Sequence, residues 1–329
     1  MRKVIAMPQF PDENWYFSQI QRLVVDRRIN DECKIEKRLK EIEDLLAKIV
    51  SKDDFPSRKG ANSLLECIVL ATYDELEKIY KRIEQMSSSP FYDIQNDLNE
   101  HSKMKKEWLL ICNIYDKLVK NDINTKIIHK YGIRCCPYCN ENYIFNREME
   151  AGKSYAVAQL DHFFPKDKFP IFAVSLYNLV PSCSSCNHIK SNKKIGISPH
   201  NHSHNFSQMQ ISYIPKSANW INDAEEIEIQ FKYSTDDVRF IDMMNQNLDI
   251  MGIRKAYDMN KDYIQEILKK AQIYEKKHRE NLMSDFPGLF SSEEDLLQTL
   301  FGNYIHEEDL LKRPLSKITM DLLKELLII

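Results

Sequence analysis

Residues 160–194 read LDHFFPKDKFPIFAVSLYNLVPSCSSCNHIKSNKK, and residues 136–139 upstream read CPYC. Asp161 and His162 therefore stand side by side between two Cys-x-x-Cys pairs, Cys136/Cys139 and Cys183/Cys186. Each pair can form a tight knuckle, and two knuckles complete a tetrahedron of thiolates around Zn²⁺. A closed four-sulfur site leaves no position for water, so its expected role is structural. Cys135 is an alternative to Cys136 in a slipped ligand set. Asp161 and Asn187 offer hard oxygens, which suit Mg²⁺ or Mn²⁺. If Asp161 and His162 lie on a strand, they face opposite ways. One can then hold a cation while the other faces a water, which makes Asp161 the anchor and His162 the base.

Working outward, the centre reads as zinc knuckle, strand, loop, strand, helix. "YAVAQLDHF" alternates like a short strand, and "SCNHIKSNKK" suits a helix that begins among the second cysteine pair. That helix carries Asn187 and, one turn later, Lys190. Residues 1–130 read as a helical scaffold or interaction region. Leu39, Ile42, Leu46 and Ile49 line one helix face ending near Ser51. Further helical patterns run from about Ala61 to Gln85 and from about Tyr92 to Lys120. Residues 131–200 form the candidate core, and residues 201–329 are mixed and then helical. There "EEIEIQFKYS" alternates like a strand, and Asp236 or Asp237 is placed to cap a helix from Val238. A long helical pattern spans Ile253 to Asp285, Ser291 or Ser292 can cap the next helix, and Ser316 starts a last one. "PHNHSH" sets His200, His202 and His204 at alternate positions and reads as a surface loop. The expected class is mainly α with a small α+β insert.

Bulk composition narrows the function classes. The chain has 329 residues, 43% hydrophobic and 29% charged, as in ordinary globular proteins. Only 7 glycines are present, which disfavours a doubly wound sheet with Gly-rich nucleotide loops. No apolar run is long enough for a membrane span, and no secretory signal is evident at the start. A cytoplasmic location follows as the default, and the 8 cysteines are then expected to be reduced. Net charge is only −3, yet residues 101–134 carry +5 and residues 162–196 carry +4, against −5 over residues 221–260. A polyanion could dock on the positive segments.

Taken in order, "CPYC…LDHFFPK…YNLVPSCSSCNHIKSNK" resembles the HNH (His-Me finger) endonuclease motif in its zinc-stapled form. The match covers about Cys136 to Lys194, less than a fifth of the chain. The resemblance implies a ββα-metal core that hydrolyses nucleic-acid phosphodiester bonds, DNA more than RNA. By position it makes His162 the general base, Asp161 a ligand of Mg²⁺ or Mn²⁺, and Asn178 the residue that orients the histidine and its loop. Asn187 takes the last ligand place, where many relatives have His. Lys166, Lys190 and Lys193 are expected to neutralise phosphates. A helical section before such a core is also similar to HNH components of bacterial anti-phage systems, Septu (PtuB-like) and retron-associated, which act with an ABC-type ATPase. No G-x-x-x-x-G-K-[ST] occurs here, so that ATPase would be a separate chain. Two other readings stand beside this one: a non-catalytic zinc-stapled nucleic-acid-binding or adaptor protein, and a standalone restriction-type nuclease.

Overall fold

The computed structural model describes residues 7–25, 32–92, 104–148, 154–203 and 206–329. Within them the chain is mainly helical, with thirteen α-helices and three two-stranded antiparallel sheets. The expected class, mainly α with a small α+β insert, is what the chain adopts. It divides into two compact units. Among the described residues, one lies within Pro8–Gly132 and Phe145–Lys194; the other comprises Met7, Ile133–Ile144 and the described part of Ile195–Ile329. These units cut across the three sequence segments, because residues 145–194 fold with the N-terminal helices.

The first unit contains α1 (Glu13–Val24), α2 (Glu32–Leu46), α3 (Leu64–Leu70), α4 (Tyr73–Glu84), α5 (Leu109–Lys120) and α6 (Ile123–Tyr131). It continues with β1 (Asn146–Glu148), β2 (Ser154–Ala156), β3 (Gln159–His162), β4 (Leu179–Ser182) and α7 (Ser184–Lys190). Caps decide several boundaries. Asp12 accepts from Trp15 N at 3.0 Å and starts α1. Thr72 and Glu75 form a reciprocal capping box, so the helix expected over 61–85 restarts at Tyr73 as α4. Leu76, Ile79 and Ile83 then recur on its buried face. Of the helix expected from Tyr92, residues 93–103 lie outside the described residues, and α5 starts at Leu109. Glu13 ties α1 to the core. Arg58 grips both its oxygens at 2.7 and 2.9 Å, and the Tyr177 hydroxyl donates to it at 2.6 Å.

Strands β3 and β4 pair antiparallel, with Asp161 opposite Val180 and His162 opposite Leu179. Pro181 is tolerated in β4 because a two-stranded ribbon has an unpaired outer edge. The Cys183 sulfur accepts from Cys186 N and caps α7. The strand, loop, strand, helix order read from sequence is thus the observed one.

The second unit holds β5 (Met209–Pro215), β6 (Ile227–Tyr233), α8 (Val238–Ile250), α9 (Ile253–Asp258), α10 (Lys261–Ile273), α11 (Lys276–Asp285), α12 (Glu293–Phe301) and α13 (Ser316–Glu325). Asp237 caps α8 and Ser292 caps α12 through their side chains. The long helix expected from Ile253 to Asp285 is three helices, with breaks after Asp258 and Ile273. Gly196 approaches α8 so closely that a Cβ there would lie 2.2 Å from the Met243 carbonyl oxygen. Helix α13 is buried at every position from Ser316 to Leu323, including the Lys317–Asp321 ion pair. The neighbouring β5 satisfies that pair, because Ile211 N donates to Asp321 at 2.8 Å and Lys317 Nζ to Met209 O at 2.9 Å. Helix α11 is the opposite case, since Arg279 is its one buried side chain. His200 corrects the surface-loop reading: it is 1% exposed, and His204 lies outside the described residues. No helix among the described residues is long and apolar enough to cross a membrane.

Candidate active site

The cysteines form a cluster able to hold a metal ion. The sulfurs of Cys136, Cys139, Cys183 and Cys186 all lie within 4.8 Å of one another, and all four residues are buried. Tetrahedral zinc with bonds of about 2.3 Å needs sulfurs roughly 3.8 Å apart, so a small contraction closes the site. Amide donors already point at the sulfurs. Glu141 N donates to Cys139 at 3.4 Å and Cys186 N to Cys183 at 3.4 Å, which favours thiolates. The donor set therefore fits zinc. Cys135 is not in the cluster. Its amide donates to Leu311 O at 3.0 Å, and burial pushes its thiol up to about 12, so it remains a neutral core group. All eight cysteines are free of disulfides.

Strand alternation sends Asp161 and His162 to different surroundings. Asp161 shares a strand face with Gln159, and α7 packs over it with matching side chains. Asn187 Nδ2 donates to Gln159 at 2.6 Å, and Lys190 Nζ lies 3.1 Å from Asp161. Lys190 also donates to the His162 carbonyl at 2.6 Å. The His162 ring turns instead to Tyr115 of α5, edge to face at 4.4 Å between centroids, and to Ala173 O, 2.9 Å from Nε2. A carbonyl can only accept, so Nε2 carries the proton and Nδ1 keeps the lone pair. Burial, with Lys166 and Lys190 adding to it, pushes the imidazole down to about 3, which keeps it neutral.

Asn178 holds the loop between the strands. Its Oδ1 accepts from Phe164 N at 2.7 Å, and its Nδ2 donates to Phe164 O at 3.1 Å and Phe172 O at 3.0 Å. Phe172 directly precedes Ala173, the acceptor for His162. The amide thus fixes the backbone that orients the ring, and it does so fully buried.

Asp161, His162, Asn187 and Lys166 line one open cleft of about 320 Å³, together with Tyr115, His188, Ser191 and Asn192. Comparison with family models, curated proteins and solved structures finds no match. The cleft must therefore be read from its own chemistry.

The three lysines expected at phosphates fare differently. Lys166 reaches the cleft half-exposed, 5.5 Å over the Tyr115 ring and 3.8 Å from Asp116. Lys193 is exposed beyond α7. Lys190 is a correction. It is 0% exposed and committed to Asp161 and the His162 carbonyl, so it cannot meet a phosphate in this fold. Its charge compensates the buried carboxylate. The sequence also gave no sign of Tyr115, whose hydroxyl donates to Leu160 O at 3.1 Å across a separation of 45 residues. No local spacing encodes that contact.

Proposed function

We propose that this chain is a metal-dependent HNH-type endonuclease that hydrolyses nucleic-acid phosphodiester bonds, with DNA favoured over RNA. The observation that carries the reading is the shared cleft, which Asp161, His162, Asn187 and Lys166 all line. Asp161 and Asn187 would hold Mg²⁺ or Mn²⁺, and Asn187 suits this because its Nδ2 is spent on Gln159 while its oxygen remains for a hard cation. When bound, such a cation supplies charge neutralisation at the scissile phosphate and the leaving 3′-oxygen. His162 takes the proton from the attacking water at Nδ1, while Ala173 O holds the ring through Nε2–H. Water oxygen bonds to phosphorus, the bond to the 3′-oxygen breaks, and solvent protonates the leaving oxygen. A phosphate in the cleft opposes the fields of Lys166 and Lys190 and so raises the basicity that burial suppresses. Zinc at the four cysteines has a structural part only.

Plasmid nicking with Mg²⁺ tests this. Cutting should stop with chelation of Mg²⁺ and with His162→Ala while the fold is retained. Intact plasmid and intact RNA at every condition would sink the proposal. The resemblance to Septu and retron-associated HNH proteins supports the narrower reading of a part in anti-phage defence beside an ABC-type ATPase, which co-purification with an ATPase encoded next to this chain would check.

One observation favours the second reading, a zinc-stapled binder without catalysis. Asp161 is already neutralised by Lys190, so the cleft offers a cation less charge than a bare carboxylate would. Nucleic-acid binding that survives in the absence of any cleavage is the outcome that selects it.

A further inference from the structure

Helix α13 begins without a cap of its own. Its N-cap residue is Leu315, which has no side-chain acceptor and sits in the left-handed region at φ +61°. The first N–H groups of a helix need acceptors from elsewhere. Asn140 supplies two of them. Its carbonyl accepts from Leu315 N at 2.6 Å, and its Oδ1 accepts from Lys317 N at 2.9 Å. Its Nδ2 donates to Leu310 O at 2.7 Å, and its own N–H donates to Cys136 O at 2.8 Å. Asn140 is fully buried with every polar group committed. It too is left-handed, at φ +53°, a conformation asparagine tolerates better than most residues.

The turn that places Asn140 is the first cysteine knuckle, Cys136 to Cys139. The same segment is held by the Tyr257 hydroxyl on Cys139 O at 3.1 Å and by the Arg134 and Cys135 amides on Leu311 O at 2.8 and 3.0 Å. Two left-handed residues thus face each other, one closing a thiolate knuckle and the other opening a buried helix. We infer that Asn140 is a positioning residue that couples metal binding at the first cysteine pair to docking of the C-terminal helix α13. Such a coupling is reciprocal: metal orders the helix start, and the docked helix tightens the metal site. The inference rests on the four-thiolate cluster holding zinc and is independent of nuclease activity.

Amide hydrogen exchange of the full chain, zinc-loaded and then chelator-treated, tests it. On chelation the amides of Ser316–Glu325 should exchange roughly tenfold faster or more, while those of α4 keep their protection. Asn140→Gly, which allows the left-handed turn but removes the cap, should weaken zinc binding about ten- to hundredfold in competition with a chromophoric chelator. Unchanged exchange in α13, an equal loss in every helix, or parental zinc affinity in Asn140→Gly overturns the coupling. If that variant does not fold, the chelation result on the parent chain decides alone. A chain that takes up no zinc overturns the cluster reading and the coupling together; a zinc-binding chain with an unmoved α13 overturns the coupling only.

Discussion

At the scale of single residues, burial assigns roles that residue type leaves open. Lys190 and Asp161 form a buried pair, so Lys190→Met should strand a carboxylate and cost about 3–5 kcal/mol, read as a shifted urea midpoint. Lys193→Ala, at an exposed site, should leave stability within roughly 0.5 kcal/mol and, on the proposed nuclease reading, weaken only the binding of nucleic acid. Asn178→Ala should remove three buried hydrogen bonds at roughly 1–3 kcal/mol for each unsatisfied partner, and a midpoint unchanged from the parent would refute its part in holding the loop. The four-cysteine cluster was legible because a knuckle is made by neighbours in sequence. That Asp161, His162 and Asn187 line one cleft was suggested by their place between or directly beside the cysteine pairs. The burial of Lys190 was not, because a lysine's exposure depends on a partner across the fold. Tyr115 was silent for the same reason.

At the scale of elements, caps and close contacts set where helices begin and what they tolerate. The starts of α7, α8 and α12 were readable from capping residues or from the cysteine pair. The division of residues 253–285 into three helices was not, because continuous helical periodicity hides breaks that lack Pro or Gly. Gly196→Ala should be costly, at the upper end of the roughly 1–3 kcal/mol typical of overpacking, since its Cβ meets the α8 backbone rather than a movable side chain. Thermal unfolding of that variant gives the check. Glu13 gives a pH signature. Burial alone would raise its carboxyl, but the Arg58 fork and the Tyr177 hydroxyl outweigh burial and hold it below its ordinary 4.5. Between the folded and unfolded values the unfolded chain binds more protons, so stability rises with pH there. The Glu13 contribution is therefore complete above about 4.5 and lost as pH falls through the lowered folded value. Glu13→Gln should lower stability near neutrality and flatten the acid limb of a stability-against-pH curve.

For the whole molecule, the buried four-cysteine cluster and the largely exposed helix α11 differ sharply in how much of each is enclosed. Stripping metal with a strong chelator should expose the cluster's four thiols to a thiol reagent and lower the melting temperature, because metal binding is linked to folding. Thiols equally reactive before and after chelation would show that no metal was held. Helix α11 lies at the other end, with Arg279 its one inward side chain and Lys276 and Lys277 exposed. Opening it costs few contacts. Among the helices described, α11 should therefore be nicked readily by trypsin in brief digestion at Lys276 or Lys277, and a peptide tag spliced at that point should leave the rest of the protein undisturbed.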